Sequence, residues 1–227
     1  MHRLIIFDID GTLLLTGGAG KMAFDRVFEE LYQISGAWKN ILPDGRTDPS
    51  LIAELCRSNL GRGVGTREFE KIQSLYERHL GETLKIAPRF RLMPGVTDLL
   101  PALAEQEGVM LGLATGNFER AAYLKLERAG LREYFQWGGF GSDHGNRMEL
   151  TRMAVERGLQ KIGRSLEPEQ IFLVGDTVHD IRCGQRMGLT TVAVATGSTP
   201  YQTLASLRPD FLLEKLEPLA DVVTIFT

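Results

Sequence analysis

The chain has 227 residues, 43% of them hydrophobic and 24% charged, which is ordinary for a globular protein with one core and a smaller second domain. A formal net charge of −3, with no cluster of Lys and Arg, gives no electrostatic basis for binding nucleic acid or an anionic membrane. No apolar run reaches the ~20 residues of a membrane-spanning helix, and no secretion signal is evident. Cys56 and Cys183 are far apart and are interpreted as free thiols, so a cytoplasmic location is expected.

Short apolar runs bounded by Gly or Asp recur along the chain and predict buried parallel strands. They lie at residues 4–7, 109–114, 171–174, 191–195 and 211–213, with a weaker candidate at 135–140. Helical patterns separate them at residues 94–107, 118–129, 149–162 and 178–187. Gly130 and Gly188 are placed as C-terminal helix caps. This alternation predicts a doubly wound, Rossmann-like α/β domain with a parallel sheet.

The stretch after the first strand differs, because it holds three helical patterns and no convincing strand. The second pattern opens at Asp48-Pro49, which we interpret as an N-cap followed by proline at the first helical position. We predict a small all-helical domain inserted into the α/β core. The boundaries are residues 1–15 and 92–227 for the core and 16–91 for the insertion, with hinges at Gly17-Gly18 and at residues 88–94.

Polar residues end three of the predicted strands: Asp8, Thr115 and Asp176. In an open α/β sheet, ligands bind outside the carboxyl ends of the strands, so these residues can meet there although they are far apart in sequence. Asp8 and Asp10 lie two apart in extended backbone, where side chains face the same way and can address one ligand. Such convergence is hard to explain as packing and favours an active site.

Three segments resemble motifs of the haloacid-dehalogenase superfamily, namely residues 7–13 (FDIDGTL), 114–117 (ATGN) and 174–180 (VGDTVHD). They occur in the family's order, and the resemblance covers essentially the whole chain. The helical insertion is similar to the cap of the phosphoglycolate-phosphatase-like branch. The dehalogenase branch lacks an Asp two residues after its nucleophile, whereas this chain has Asp10. The resemblance therefore implies a phosphatase acting on a small phosphorylated metabolite.

The same resemblance implies how the reacting groups are used. Asp8 would attack phosphorus and form an aspartyl-phosphate, which divides one hard step into two. Asp10 would protonate the leaving oxygen and then deprotonate the attacking water. The Thr115 hydroxyl would bind a phosphoryl oxygen, and donors in the turn at Gly116 and Asn117 would complete the phosphate site.

A metal ion is implied as well. A carboxylate repels each negative charge of a phosphate by about 4 kcal/mol at ~4 Å and an effective dielectric near 20, so the reaction needs cations. The family pattern implies Mg²⁺ held by the Asp8 carboxylate, the Asp10 main-chain carbonyl and Asp176. Asp180 would be either a water-mediated ligand or an orienting group.

The family also places a Lys or Arg between its second and fourth motifs, near a helix start. We assign this position to Arg147, whose planar guanidinium suits phosphate. The competing assignment is Lys161, which lies nearer the fourth motif, late in a helical pattern, and is expected to face solvent.

In related caps, the segment before the second helix faces the active site and helps to choose the substrate. Arg46 is therefore a candidate contact for an anionic part of the substrate, such as a carboxylate. An equally acceptable interpretation is purely structural, with a turn at Asp44-Gly45 and the N-cap at Asp48.

Two other functions fit the same residues. A sugar-phosphate mutase or phosphotransferase of the superfamily would share every catalytic residue and pass the phosphoryl group to a second hydroxyl instead of water. A non-catalytic phosphate-binding module would need no proton shuttle, so the presence of both Asp8 and Asp10 argues against it.

Overall fold

A computed structural model describes residues 2–39, 41, 43 and 45–226. Its strands are β1 (Arg3–Phe7), β2 (Leu14–Leu15), β3 (Arg91–Leu92), β4 (Val109–Ala114), β5 (Gly138–Gly139), β6 (Ile171–Gly175), β7 (Thr190–Val194) and β8 (Phe211–Leu213). Six of them form a parallel sheet in the order β5-β4-β1-β6-β7-β8. The predicted doubly wound α/β fold is thus confirmed.

The helices of the described residues are α1 (Ala19–Tyr32), α2 (Asp48–Leu60), α3 (Thr66–Ile86), α4 (Val96–Ala104), α5 (Glu119–Ala129), α6 (Arg147–Ile162), α7 (Val178–Met187), α8 (Tyr201–Ser206) and α9 (Leu219–Val223). Gly130 and Gly188 have φ values of 72° and 70° and end α5 and α7, as predicted. No helix in this part of the chain is long and apolar enough to span a bilayer. Both cysteines are buried free thiols.

The sheet is covered on both faces, and β1 shows this most directly. Ile5 and Phe7 pack into the cluster that includes α4, α5 and α9. Leu4 and Ile6 point the other way, into the cluster with α6 and α7. Because successive side chains of a strand alternate between faces, a strand buried on both sides must be apolar at every position. This explains why the strands are continuous apolar runs in the sequence.

Helices α1, α2 and α3 form a separate apolar cluster. The ring of Tyr76 stacks on Phe24, with centroids 4.0 Å apart. The two connections to the sheet domain pair as antiparallel strands β2 and β3, which were not predicted because two residues carry no periodicity. This pair lies at the two proposed domain boundaries, and the division at residues 16 and 91 stays a prediction. We refer to the helical cluster as the cap and to the sheet domain as the core.

Three local predictions need correction. Thr47, not Asp48, is the N-cap of α2, since its hydroxyl accepts from the Ser50 N–H at 3.4 Å. Helix α6 begins two residues earlier than predicted, because Asn146 caps it through the Met148 N–H. The weak strand predicted at residues 135–140 is only the two residues of β5, and a turn of 3₁₀ helix at residues 132–134 precedes it.

Candidate active site

The carboxyl ends of the central strands bring three acidic side chains together. Asp8 follows β1, whereas Asp176 and Asp180 belong to the turn and helix that follow β6. One carboxylate oxygen from each lies within 4.8 Å of the others, and all three residues are buried. The Thr12 hydroxyl donates to Asp176 Oδ1 at 2.9 Å and fixes that side chain. The topology therefore assembles the predicted acidic cluster from residues far apart in sequence.

This cluster is electrostatically unfavourable in isolation. Burial raises the pKa of Asp8 to about 6, against the lowering effect of Arg147, and the charges of Asp180 and Asp10 raise it further. Burial likewise raises the pKa of Asp176 to about 8, with the charges of Asp8 and Asp180 adding to the shift. Crowded buried carboxylates of this kind are stabilised by a cation.

Arg147, the first residue of α6, supplies one positive charge. Its Nη2 lies 3.1 Å from Asp8 Oδ1 and 2.5 Å from Asp180 Oδ1, and it donates to the Ala114 carbonyl at 3.3 Å. The two carboxylates hold the pKa of Arg147 above its usual value despite burial. The competing residue, Lys161, is exposed in the last turn of the same helix. The geometry thus favours Arg147 for the basic position.

Both carboxylate oxygens of Asp180 already have protein donors. Oδ2 accepts from the Thr177 N–H at 3.1 Å and from the Thr177 hydroxyl at 2.6 Å, an arrangement that caps α7. Oδ1 accepts from Arg147. Of the two predicted roles for Asp180, these contacts favour the orienting one.

The remaining oxygens suit a small divalent cation. The Gly11 N–H donates to the Leu14 carbonyl and the Leu14 N–H to the Ile9 carbonyl, and no backbone N–H in the described part of the chain donates to the Asp10 carbonyl. That carbonyl and the carboxylates of Asp8 and Asp176 form an all-oxygen donor set, which hard cations such as Mg²⁺ prefer. The residues present therefore fit the implied metal, and the buried negative charge gives it a favourable site.

On the other side of Asp8, a network of hydrogen bonds holds Asp10. Its Oδ2 accepts from Asn117 Nδ2 at 2.8 Å and from Lys125 Nζ at 2.6 Å. Lys125 also donates to Asn117 Oδ1 at 2.5 Å, and Asn117 Nδ2 donates to the Thr115 hydroxyl at 2.6 Å. Three of the predicted residues, Asp10, Thr115 and Asn117, are thus brought into one connected group.

Sequence reasoning missed Lys125. It lies in the middle of α5, outside every motif, where a lysine is normally exposed. The available signal was its position on the face that Ala121, Ala122 and Leu126 bury, at helical spacing. A buried lysine on such an apolar face requires an anionic partner within hydrogen-bonding distance.

A cavity of about 610 Å³ extends from this acidic edge into the cap. Its cap side is lined by apolar and aromatic residues, among them Phe24, Trp38 and Leu51, and by the Tyr76 ring. Within the described residues the Tyr76 hydroxyl makes no hydrogen bond, although the residue is only 2% exposed. Burial raises the pKa of Tyr76 well above 10, so the hydroxyl keeps its proton and can donate to a ligand.

The segment before α2 joins cap and core, although the side chain of Arg46 is occupied elsewhere. Its guanidinium pairs with Glu54 and donates to the Ser50 carbonyl at 3.2 Å. Arg46 lines the cavity, so its contact with substrate stays a prediction. The Arg46 carbonyl lies against Gly116, where an added Cβ would be 2.2 Å away. Asp44, the first residue of the predicted turn, lies outside the described residues.

Asp48, the first residue of α2, also joins the cap to the core. Its N–H donates to the Gly116 carbonyl at 2.8 Å, and its Oδ2 accepts from the Phe118 N–H at 2.8 Å. The Thr47 hydroxyl donates to the Gly145 carbonyl at 3.2 Å. The cap is therefore held directly on the loops that follow β4 and β5.

Comparison with known proteins places this arrangement among related folds. The family model for haloacid dehalogenase-like hydrolases matches residues 2–188. The pyrophosphatase PpaX of Oceanobacillus iheyensis is 28% identical over 223 residues, covering 98% of this chain and 96% of the relative. The phosphoglycolate phosphatase of Synechococcus elongatus is 29% identical over 232 residues, covering 98% and 97%. The crystal structure of CbbY from Rhodobacter sphaeroides in complex with phosphate has the same fold, with a TM-score of 0.74, 21% identity and 96% coverage of both chains.

Proposed function

Because the chain belongs to the haloacid dehalogenase-like hydrolase family, as predicted, we propose that it is a magnesium-dependent phosphatase that uses Asp8 as nucleophile on a small phosphate monoester. The prediction of a phosphatase-type hydrolase agrees with the named activities of the relatives. The observation that carries the finer proposal is the buried contact of Asp8 with Arg147, beside two further carboxylates and next to Asp10. A nucleophile, a cation and a proton carrier thus share one end of one cavity.

The first chemical step forms a bond between an Asp8 carboxylate oxygen and phosphorus while the bond from phosphorus to the leaving oxygen breaks. Arg147 binds Asp8 and lines the cavity, so its charge offsets the repulsion between carboxylate and phosphate. Asp10 gives its proton to the leaving oxygen. The alcohol then departs, and the phosphoryl group stays on Asp8.

The second step hydrolyses this aspartyl-phosphate. Asp10, now without its proton, accepts one from water as the water oxygen attacks phosphorus. The bond between Asp8 and phosphorus breaks, inorganic phosphate leaves, and both carboxyl groups return to their starting states. Thr115 and the turn at Gly116 and Asn117 orient the phosphoryl oxygens throughout.

The metal proposed here would be held by the Asp8 and Asp176 carboxylates and the Asp10 carbonyl. When bound, Mg²⁺ supplies positive charge that offsets the negative charge of the phosphoryl oxygens. Hydrogen bonds within the chain orient the carboxylates of this site. Thr12 donates to Asp176, and Thr177 and Arg147 donate to Asp180.

The rim of the cavity favours a leaving group that carries negative charge. Lys21, Arg89 and Arg91 line the cavity and form no ion pair within the described residues. Two relatives are named for phosphoglycolate and for pyrophosphate, both of which have a second anionic group. We therefore propose as substrate a small phosphate ester that carries a second anionic group besides the phosphate, with phosphoglycolate as the first compound to test.

The test is the release of inorganic phosphate from a panel of small phosphate esters and from pyrophosphate, with and without Mg²⁺. The esters are phosphoglycolate, sugar phosphates, nucleoside monophosphates and an aryl phosphate. Wild type should release phosphate only with the metal, and Asp8→Asn should be slower by more than about 10⁴-fold. Asp98→Asn, at an exposed position in α4, is the matched control and should keep full activity.

Two results would overturn the proposal. Phosphate release that survives in Asp8→Asn would exclude this nucleophile. An isomerised sugar phosphate without free phosphate would replace the phosphatase by the mutase that the same residues allow.

A further inference from the structure

Lys125 is a buried cation to which the chemistry above assigns no role. The residue is only 4% exposed, and its helix α5 begins directly after the turn that carries Asn117. A buried ammonium is costly unless it is paired and hydrogen-bonded. The groups that pair with Lys125 must therefore be identified before a role can be assigned to it.

Those partners form a closed ring with it. Nζ donates to Asp10 Oδ2 at 2.6 Å and to Asn117 Oδ1 at 2.5 Å, and Asn117 Nδ2 donates to the same Asp10 oxygen at 2.8 Å. Each of the three side chains thus contacts the other two. Such a ring has one arrangement that satisfies all its members, so it restricts the rotation of the Asp10 carboxyl group.

The ring acts on only one of the two carboxyl oxygens of Asp10. Within the described residues, both side-chain donors address Oδ2 and none addresses Oδ1. Both side chains line the cavity, but that of Asp10 is 40% exposed, whereas that of Lys125 is only 6% exposed. Oδ1 is therefore the oxygen free to exchange a proton with a ligand.

We propose that Lys125 is a positioning residue that, with Asn117, holds Asp10 by Oδ2 so that Oδ1 meets first the leaving oxygen and then the attacking water. This inference rests on the phosphatase function proposed above. Lys125 itself neither binds the phosphoryl group nor exchanges a proton in this scheme. Its effect passes entirely through the orientation of Asp10.

This role predicts which steps depend on Lys125. Formation of the bond between Asp8 and phosphorus requires a proton from Asp10 when the leaving group is an alkoxide, and none when it is a stable nitrophenolate anion. Hydrolysis of the aspartyl-phosphate requires Asp10 to take a proton from water with either substrate. Loss of Lys125 should slow both steps for an alkyl ester and only the second step for a nitrophenyl ester.

The experiment compares Lys125→Met with wild type on phosphoglycolate, an alkyl ester, and on p-nitrophenyl phosphate, in Mg²⁺ and under rapid mixing. On phosphoglycolate, kcat should fall on the order of 10²-fold with KM little changed, since misplacing a general acid removes part of its effect. On p-nitrophenyl phosphate, the variant should release about one nitrophenolate per site rapidly and then turn over slowly. Asp10→Asn should show the same pattern more strongly.

Two further variants serve as controls for the positioning role of Lys125. Lys71→Met, at an exposed position in α3, is the matched control and should behave as wild type. Lys125→Gln keeps an N–H donor without the charge and should lie between wild type and Lys125→Met. If Lys125→Met does not fold, as judged by circular dichroism, Lys125→Gln carries the test with the same expected pattern.

A merely structural role gives a different result. Equal slowing of nitrophenolate release and of turnover on both substrates would overturn the proposal, as would unchanged rates. These outcomes are distinguishable from failure of the proposed function, in which wild type itself would release no phosphate from any ester.

Discussion

The two sides of the cavity are built in opposite ways. On the core side, charged groups are buried at the ends of rigid strands, and each is held by neighbours, as Asp8 is by Arg147. On the cap side, aromatic and aliphatic side chains and the buried Tyr76 hydroxyl line the cavity together with charged residues such as Lys21 and Arg89. Fixed, buried charges are suited to one chemical step, whereas a mixture of apolar surface and polar groups is suited to recognising the rest of a ligand. The difference indicates that chemistry and substrate choice are separable in this molecule.

Among variants that test this comparison and keep the nucleophile Asp8, the largest effect on kcat should come from replacing Arg147, a fixed charge of the core. Arg147→Gln should lower kcat by about 10²–10³-fold, because one positioned donor to a phosphoryl group is worth that much in comparable sites. Steady-state kinetics on the preferred ester, at saturating Mg²⁺, would measure it.

Lys161→Met is the matched control for this position, because Lys161 lies exposed on the same helix. Its rates should equal those of wild type. A larger loss in Lys161→Met than in Arg147→Gln would reverse the assignment of the basic position.

A smaller effect, on stability instead of rate, should appear at the junction of the two sides. Burial raises the pKa of the Asp48 carboxyl from 3.8 to about 7. The folded state thus holds the proton more tightly than the unfolded state, so wild type loses stability as pH rises from about 4 to about 7. Asp48→Asn keeps an acceptor for the Phe118 N–H without the charge. Its gain over wild type should be about 2 kcal/mol larger at pH 8 than at pH 5.

Urea unfolding of both proteins at the two pH values would measure this difference. Thr47→Ala serves as the comparison, because it also removes a contact between cap and core but carries no titrating group. Its effect should be independent of pH. A gain for Asp48→Asn that is the same at pH 5 and pH 8 would contradict the expected titration.

The smallest effect should come from the cap. Tyr76→Phe removes a hydroxyl that has no partner within the described residues and keeps the stacking on Phe24. If that hydroxyl donates to the substrate, KM should rise by up to about 10-fold, the equivalent of one hydrogen bond, with kcat little changed. Stability should stay equal to that of wild type or rise slightly. An unchanged KM on the preferred ester would place the leaving group elsewhere in the cavity.

The sequence predicted the core side well for a physical reason. Asp8, Thr115 and Asp176 each follow a strand that is apolar at every position, and parallel strands end at one edge. Chain order and strand type were therefore enough to bring them together. Arg147 was assigned differently, from the family resemblance, which places a Lys or Arg near a helix start between the second and fourth motifs.

The contacts of Lys125 and Asp48 were not predictable from local pattern. A lysine within a helix and an aspartate beside a helix start both have ordinary local explanations, solvent exposure and capping respectively. Only the approach of α5 to Asp10, and of the cap to Phe118, gives these residues their partners. Such contacts join elements whose spacing in sequence carries no information about their distance in space.

The short antiparallel pair of β2 and β3 has a consequence for how this architecture can vary. The chain leaves the core through Leu15 and returns through Arg91, its direct partner in the ladder. Opposite residues in such a ladder lie only about 4.5–5.5 Å apart. In strand connectivity, the whole cap therefore occupies the place of the loop in a β-hairpin formed by β2 and β3. Segments of very different length and shape can be exchanged at this point without moving any strand that carries the acidic residues.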